Sequence, residues 1–188
     1  MTEFRQSKTI IMVALEDELP PEKLPGWDIA YVGVGKVNAA INGAKALRDC
    51  NATTLINFGT AGALREGISG LHEVTTLHQR DMDARGLGFA LGQTPYEDQL
   101  SIDLGRPGLS IGTGDSFANE MPELITDLVD MEAFALAKLA ASMGMDFYCF
   151  KFVSDQADAN AASEWQNTVS HGADLFVERL TGAAHSAD

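Results

Sequence analysis

The chain has 188 residues, 45% of them hydrophobic and 21% charged, which suits one soluble domain around a single core. Its formal net charge is −14, from 27 acidic against 13 basic residues, a balance that repels polyanions and argues against a nucleic-acid or anionic-membrane partner. Cys50 and Cys149 form no CxxC pair, and His72, His78, His171 and His185 lack ligand spacing, so neither a disulfide framework nor a metal is expected.

From the N-terminus, residues 1–8 are polar, and the apolar run at 9–15 is too short for a signal-peptide core or a bilayer span. A cytoplasmic protein is expected. Strands are expected at 9–14, 29–34, 54–58, 73–77, 109–113, 128–131 and 147–153, all rich in Ile, Val, Phe or Leu. Helices are expected at 36–49, 132–143 and 164–181. In the first, Val37, Ala40, Ile41, Ala44 and Leu47 recur on one face. Gly144 is placed to end the second, and Ser163 to cap the third. Residues 80–103 are glycine-rich and weakly periodic, a loop with room for one short strand. No linker or repeat divides the chain, so one α/β domain over 1–188, built on a mostly parallel or mixed sheet, is expected.

The polar residues fall in one kind of place. Gly33-Val34-Gly35, Gly59-Thr60-Ala61-Gly62, Gly114-Asp115, Asp130-Met131-Glu132 and Ser154-Asp155 all stand at expected strand ends. Ligands of open α/β sheets bind outside the carboxyl ends of strands, so these segments point to one shared pocket. Any one of them alone could equally be an ordinary turn.

The same segments, in the same order, resemble the purine nucleoside phosphorylase/uridine phosphorylase superfamily, with the nearest pattern in the methylthioadenosine/S-adenosylhomocysteine nucleosidases. The resemblance rests on Val32-Gly33-Val34-Gly35-Lys36-Val37-Asn38-Ala39-Ala40, Asn57-Phe58-Gly59-Thr60-Ala61-Gly62, Gly114-Asp115-Ser116-Phe117, Val129-Asp130-Met131-Glu132-Ala133 and Ser154-Asp155-Gln156-Ala157-Asp158. It implies a three-layer sandwich with a central mixed sheet, a small-molecule purine nucleoside as substrate, no cofactor, and a homodimer whose partner helps close the pocket.

Cleaving a purine–sugar bond requires a proton on N7 of the departing base, and a carboxyl group in a water-poor pocket can supply it. The resemblance gives that role to Asp155, beside Ser154. On residue type alone, Ser154-Asp155 reads more readily as a helix N-cap. Asp158 reads as a helix-start or supporting residue. Glu132 is implied to bind the 2′ and 3′ ribose hydroxyls and Met131 to pack on the sugar, although a first-turn acid and a core methionine read the same way. Glu18 is implied to activate the attacking water, while Glu16 and Asp17 are read as a solvated turn. Thr60, with Ala61 and Gly62, stands near the nucleophile, Val34 borders the ribose or 5′ substituent, and Phe117 lies against the purine.

Some positions depart from the pattern. The segment between Glu18 and Gly33 is short, Lys151 stands where the nucleosidases commonly carry arginine, and Asp130 where they carry glutamate. A lysine is a point charge without the planar fork of arginine, so a bidentate contact there is lost. No arginine follows the first strand before Arg48, whereas the phosphorylases carry a phosphate-binding arginine in that region. Hydrolysis of 5′-methylthioadenosine, S-adenosylhomocysteine or 5′-deoxyadenosine is therefore expected. A phosphate-dependent phosphorylase and a non-catalytic nucleoside-binding protein are the alternatives.

Overall fold

A computed structural model describes residues 4–118, 120–156 and 161–182, of which 161–170 are described as backbone only. Eight strands form one mixed sheet: β1 (Thr9–Val13), β2 (Asp28–Tyr31), β3 (Thr54–Ala63), β4 (Gly70–Gln79), β5 (Ser101–Asp103), β6 (Leu109–Thr113), β7 (Leu128–Asp130) and β8 (Asp146–Asp155). Three helices accompany them: α1 (Lys36–Leu47), α2 (Ala133–Ser142) and α3 (Ala161–Thr181). The order is β2-β1-β3-β7-β6-β4-β5, and β8 pairs with both β3 and β4. Strands β3, β7, β6, β4 and β8 thus close into a ring, with β1 and β2 extending from β3 and β5 flanking β4. Pairing is parallel for β1 with β2 and β3, β3 with β8, and β6 with β4 and β7, and antiparallel for β3–β7, β4–β8 and β4–β5.

Alternation along the strands sorts the core onto two faces. Ile10, Met12, Leu55, Cys149 and Val153 belong to one apolar cluster with Ala39 and Leu47 of α1 and Leu136, Ala137 and Ala140 of α2. Ile11, Val13, Ile56, Phe58, Phe150 and Phe152 belong to a second, with Ala173, Phe176 and Leu180 of α3. Phe176 stacks on Phe58 with ring centroids 4.2 Å apart and planes 11° from parallel.

All expected strands form, and the short one inside 80–103 is β5. The boundaries differ in an instructive way. β3 continues from Phe58 to Ala63, so Gly59-Thr60-Ala61-Gly62 lies inside a strand rather than beyond its end. Its long parallel pairing with β8, shifted in register between Ala61 and Gly62, holds a glycine-containing stretch whose own strand propensity is low. Ser154 and Asp155 are likewise the last residues of β8, not a turn beyond it. α3 starts at Ala161, so Ser163 lies within the helix and does not cap it; Ala161 and Ala162 are strong helix formers. Gly144 follows α2 with φ +65°, the left-handed conformation expected of a helix-ending glycine. Asp158 lies outside the described residues.

Candidate active site

Seven strands deliver residues, most of them at or just past their carboxyl ends, to one cavity of about 430 Å³. Glu18 arrives after β1, Val34 after β2, Thr60, Ala61 and Gly62 from the end of β3, and Phe117 after β6. Met131 and Glu132 follow β7, and Ser154 and Asp155 end β8. Every residue that the sequence nominated for the site therefore lines the same cavity.

Glu18 closes the one-turn helix Glu16–Glu18, in which Glu16 and Asp17 are exposed and Glu18 is buried. The amide and hydroxyl of Thr60 donate to Glu18 Oε1 at 2.8 and 2.7 Å, and the Leu15 amide donates to Oε2 at 3.2 Å. Each carboxylate oxygen has two lone pairs, so Oε2 retains room for another donor. The carboxylate is held on both sides with one acceptor position left over.

Glu132 stands at the start of α2. Its Oε1 accepts the Gly35 amide at 2.8 Å, and Gly35 has φ +91°, a conformation that glycine adopts without strain. Burial, reinforced by the charge of Asp130, raises the Glu132 pKa from 4.5 to about 7. Asp155 is 6% exposed, and the Ser154 hydroxyl donates to its Oδ2 at 2.7 Å.

Beneath Glu132, Lys151 and Asp130 form an ion pair at 2.9 Å, both side chains 1% exposed. Asp130 Oδ1 accepts the Thr113 hydroxyl at 2.6 Å, while Oδ2 accepts the Ala133 amide at 2.8 Å. Burial by itself would raise the Asp130 pKa, but the Lys151 ammonium and the Thr113 hydroxyl outweigh it and hold the group below the usual carboxylate range. The loss expected from a lysine at this position does not leave a stray charge, because its ammonium is paired with an aspartate.

The sequence reading gave no role to Arg80, Asp115, Ser116 or Asp130, all of which line the cavity. Arg80 follows β4 directly, and its guanidinium donates to the Ser116 carbonyl and lies against Gly114. Asp115 Oδ1 accepts the Lys36 amide at 2.7 Å, tying the β6 loop to the start of α1. Asp115 and Asp130 stood in strand-end segments already assigned to the pocket, but residue type alone gave them no role there. Arg80 would have required β4 to be extended to Gln79.

The phosphorylase-superfamily profile matches residues 29–88 and 89–186. The chain belongs to the phosphorylase superfamily. Among superfamily members, a 5′-methylthioadenosine/S-adenosylhomocysteine nucleosidase of Halalkalibacterium halodurans is 31% identical, over 80% of this chain and 78% of that protein. A nucleosidase of the same name from Marinomonas is 28% identical, over 84% of this chain and 82% of that protein. The superfamily fold is shared with solved structures. A Helicobacter pylori nucleosidase variant with 5′-methylthioadenosine in its active site superposes with a TM-score of 0.83 at 20% identity, covering 95% of this chain and 98% of that one. Futalosine hydrolase from the same organism superposes at 0.82 with 19% identity, covering 92% and 95%.

Proposed function

We propose that this chain hydrolyses the N-glycosidic bond of a purine nucleoside, releasing adenine from 5′-methylthioadenosine, S-adenosylhomocysteine or 5′-deoxyadenosine. The observation that carries the reading is that Glu18, Glu132 and Asp155, far apart in sequence, line one cavity of nucleoside size. Relatives 28–31% identical over most of their length bear the nucleosidase name, which supports the same reaction here.

In this reading Phe117 lies against the purine and Asp155 protonates N7, so that the base departs neutral. Glu132 accepts hydrogen bonds from the ribose hydroxyls while Met131 packs on the sugar, and their side chains favour the positive charge that develops there. Glu18, steadied by Thr60 and Leu15, takes a proton from water as its oxygen attacks the anomeric carbon. Ala61, Gly62 and Val34 shape the walls, and Ser154 orients Asp155. Every step is carried by side chains and water.

Water rather than phosphate as nucleophile is supported by the charge of the walls. Apart from Asp155, which carries the proton it delivers, Glu18, Asp115, Asp130 and Glu132 line the cavity against Arg80, whose guanidinium already bonds Ser116. Exposed apolar Val37, Ile41 and Met121, together with Val34 and Phe117 at the cavity, support a homodimer in which a second copy covers the 5′ side. The two apolar clusters support a single three-layer domain. No helix among the described residues is long and apolar enough to cross a membrane, in keeping with a cytoplasmic enzyme.

The test is product analysis in phosphate-free buffer with these three nucleosides and futalosine. Adenine and a free sugar should appear at a rate that added phosphate leaves unchanged. Strict phosphate dependence, or no base from any adenine nucleoside, would overturn the reading. Asp155→Asn should lower kcat by about 10²-fold or more while leaving the fold intact.

A further inference from the structure

Lys151 is out of keeping with its row. On β8 it shares a face with Cys149 and Val153, both members of the apolar cluster that packs on α1 and α2. A buried ammonium is costly unless it is paired, and an apolar residue of the same volume would often serve stability as well. The charge at this position therefore asks for a reason beyond packing.

Its surroundings supply one. The Asp130 carboxylate that holds Lys151 Nζ at 2.9 Å also accepts the Glu132 amide at 3.3 Å and the Ala133 amide at 2.8 Å. It further accepts the Thr113 hydroxyl at 2.6 Å, and that same hydroxyl oxygen accepts the Phe134 amide at 3.0 Å. The β7–α2 turn that presents Glu132 is thus anchored on one carboxylate, and that carboxylate on one cation. On its other side the ammonium borders Gly59, where an ideal Cβ would stand 3.4 Å from Lys151 Nζ and 3.2 Å from Glu18 Oε1.

We propose that Lys151 is a positioning residue: by holding Asp130 it fixes the turn from which Glu132 reaches the ribose hydroxyls. The inference rests on the nucleosidase reading above and adds a residue that reading does not use. Its electrostatic corollary involves every charged or titratable group around the ammonium. These are Asp130 on β7, Glu132 at the start of α2, Glu18 after β1 and Cys149 on β8. His72, opposite Lys151 on β4, is engaged with the Ser69 carbonyl at 2.8 Å. Lys151 lowers the Glu132 pKa, against the upward push of burial and Asp130. Without the ammonium, Glu132 would hold its proton to higher pH.

The experiment uses Lys151→Met, which keeps most of the side chain's length and removes its charge, and compares an adenine ribonucleoside with its 2′-deoxy counterpart in the purified full-length protein. Because the ratio of the two kcat/KM values is compared between proteins, the intrinsic lability of the deoxy substrate cancels. Lys151→Met should lose about tenfold or more of the wild-type ribo-over-deoxy ratio, and the acid limb of its kcat/KM profile should move up by about one pH unit or more. Lys151→Arg, which retains the charge, should recover part of both. Should Lys151→Met fail to fold, Lys151→Met/Asp130→Asn, which buries no lone charge, carries the ribo-over-deoxy comparison alone, because loss of the Asp130 charge offsets the shift of the acid limb. A variant with only a lowered Tm, and with ratio and pH limb unchanged, would overturn the role of Lys151 while leaving the nucleosidase reading intact. Wild-type protein that releases no base from any of the adenine nucleosides would end both.

Discussion

At Gly59 of β3 the Glu18 carboxylate and the Lys151 ammonium both stand where a side chain would begin, and an added methyl group would press on Glu18 Oε1 at 3.2 Å and touch Lys151 Nζ at 3.4 Å. Gly59→Ala should displace Glu18 or Lys151 by a few tenths of an ångström. A loss of roughly tenfold in kcat/KM is expected, with a stability change of about 1 kcal/mol, read from steady-state kinetics and urea unfolding. Glu132 makes a prediction in pH. Its pKa is raised in the folded state from 4.5 to about 7, chiefly by burial, so between those values the native protein binds the proton more tightly than the unfolded chain does. Stability from this group is therefore present at low pH and falls as pH rises from about 4.5 to 7, then levels off. Asp130, held below its ordinary 3.8, acts in the opposite sense and costs stability only as pH falls below that value. Urea midpoints at pH 5 and 7.5 should fall more for wild type than for Glu132→Gln. If the substrate hydroxyls bind the ionised form, kcat/KM should rise with pH through about 7.

At the scale of the elements, α3 packs on the sheet through aromatic contact. Phe176 is fully buried, stacked on Phe58 and 5.9 Å from Phe150. Phe176→Ala should cost about 3–5 kcal/mol in chemical unfolding, and it should do so without a specific effect on KM. The elements were also where sequence reading did best and then stopped. Short runs of Ile, Val, Phe and Leu marked the buried strands because a strand covered on both sides needs apolar residues throughout. Glycine and acidic residues at their ends marked the site, because a ligand near the backbone requires small residues and a sugar requires carboxylates. Strand length was less visible. Gly59 and Gly62 carry no strand propensity of their own, and β3 persists through them because β8, some ninety residues on, pairs along its length and β7 pairs with its end. The Lys151–Asp130 pair was hidden for the same reason: each residue is ordinary in its own segment, and the partnership exists only once β7 and β8 are brought together.

Across the whole molecule, 13 basic residues can neutralise at most 13 of the 27 acids, so a surplus of negative charge remains however the ion pairs are arranged. Self-repulsion of that surplus should make the protein more stable as salt rises from about 10 to 150 mM, because exposed charges are screened over a Debye length of roughly 8–10 Å. A gain of about 1 kcal/mol would appear as a Tm increase of roughly 2–4 °C in calorimetry at fixed pH. A fall in Tm with salt would mean that the attractive pairs outweigh the surplus.

The ring of β3, β7, β6, β4 and β8 also decides where the molecule is open to strand exchange. In the strand order β2 and β5 stand at the two ends of the sheet, each with a partner on one side only. Both are short, four and three residues, and each carries an aspartate at one end, Asp28 and Asp103, so neither offers a long uncharged template to another chain. Amide protons of β2 and β5 should therefore exchange with solvent well before those of the ring, and the catalytic rim should hold its shape while the sheet frays at its two borders.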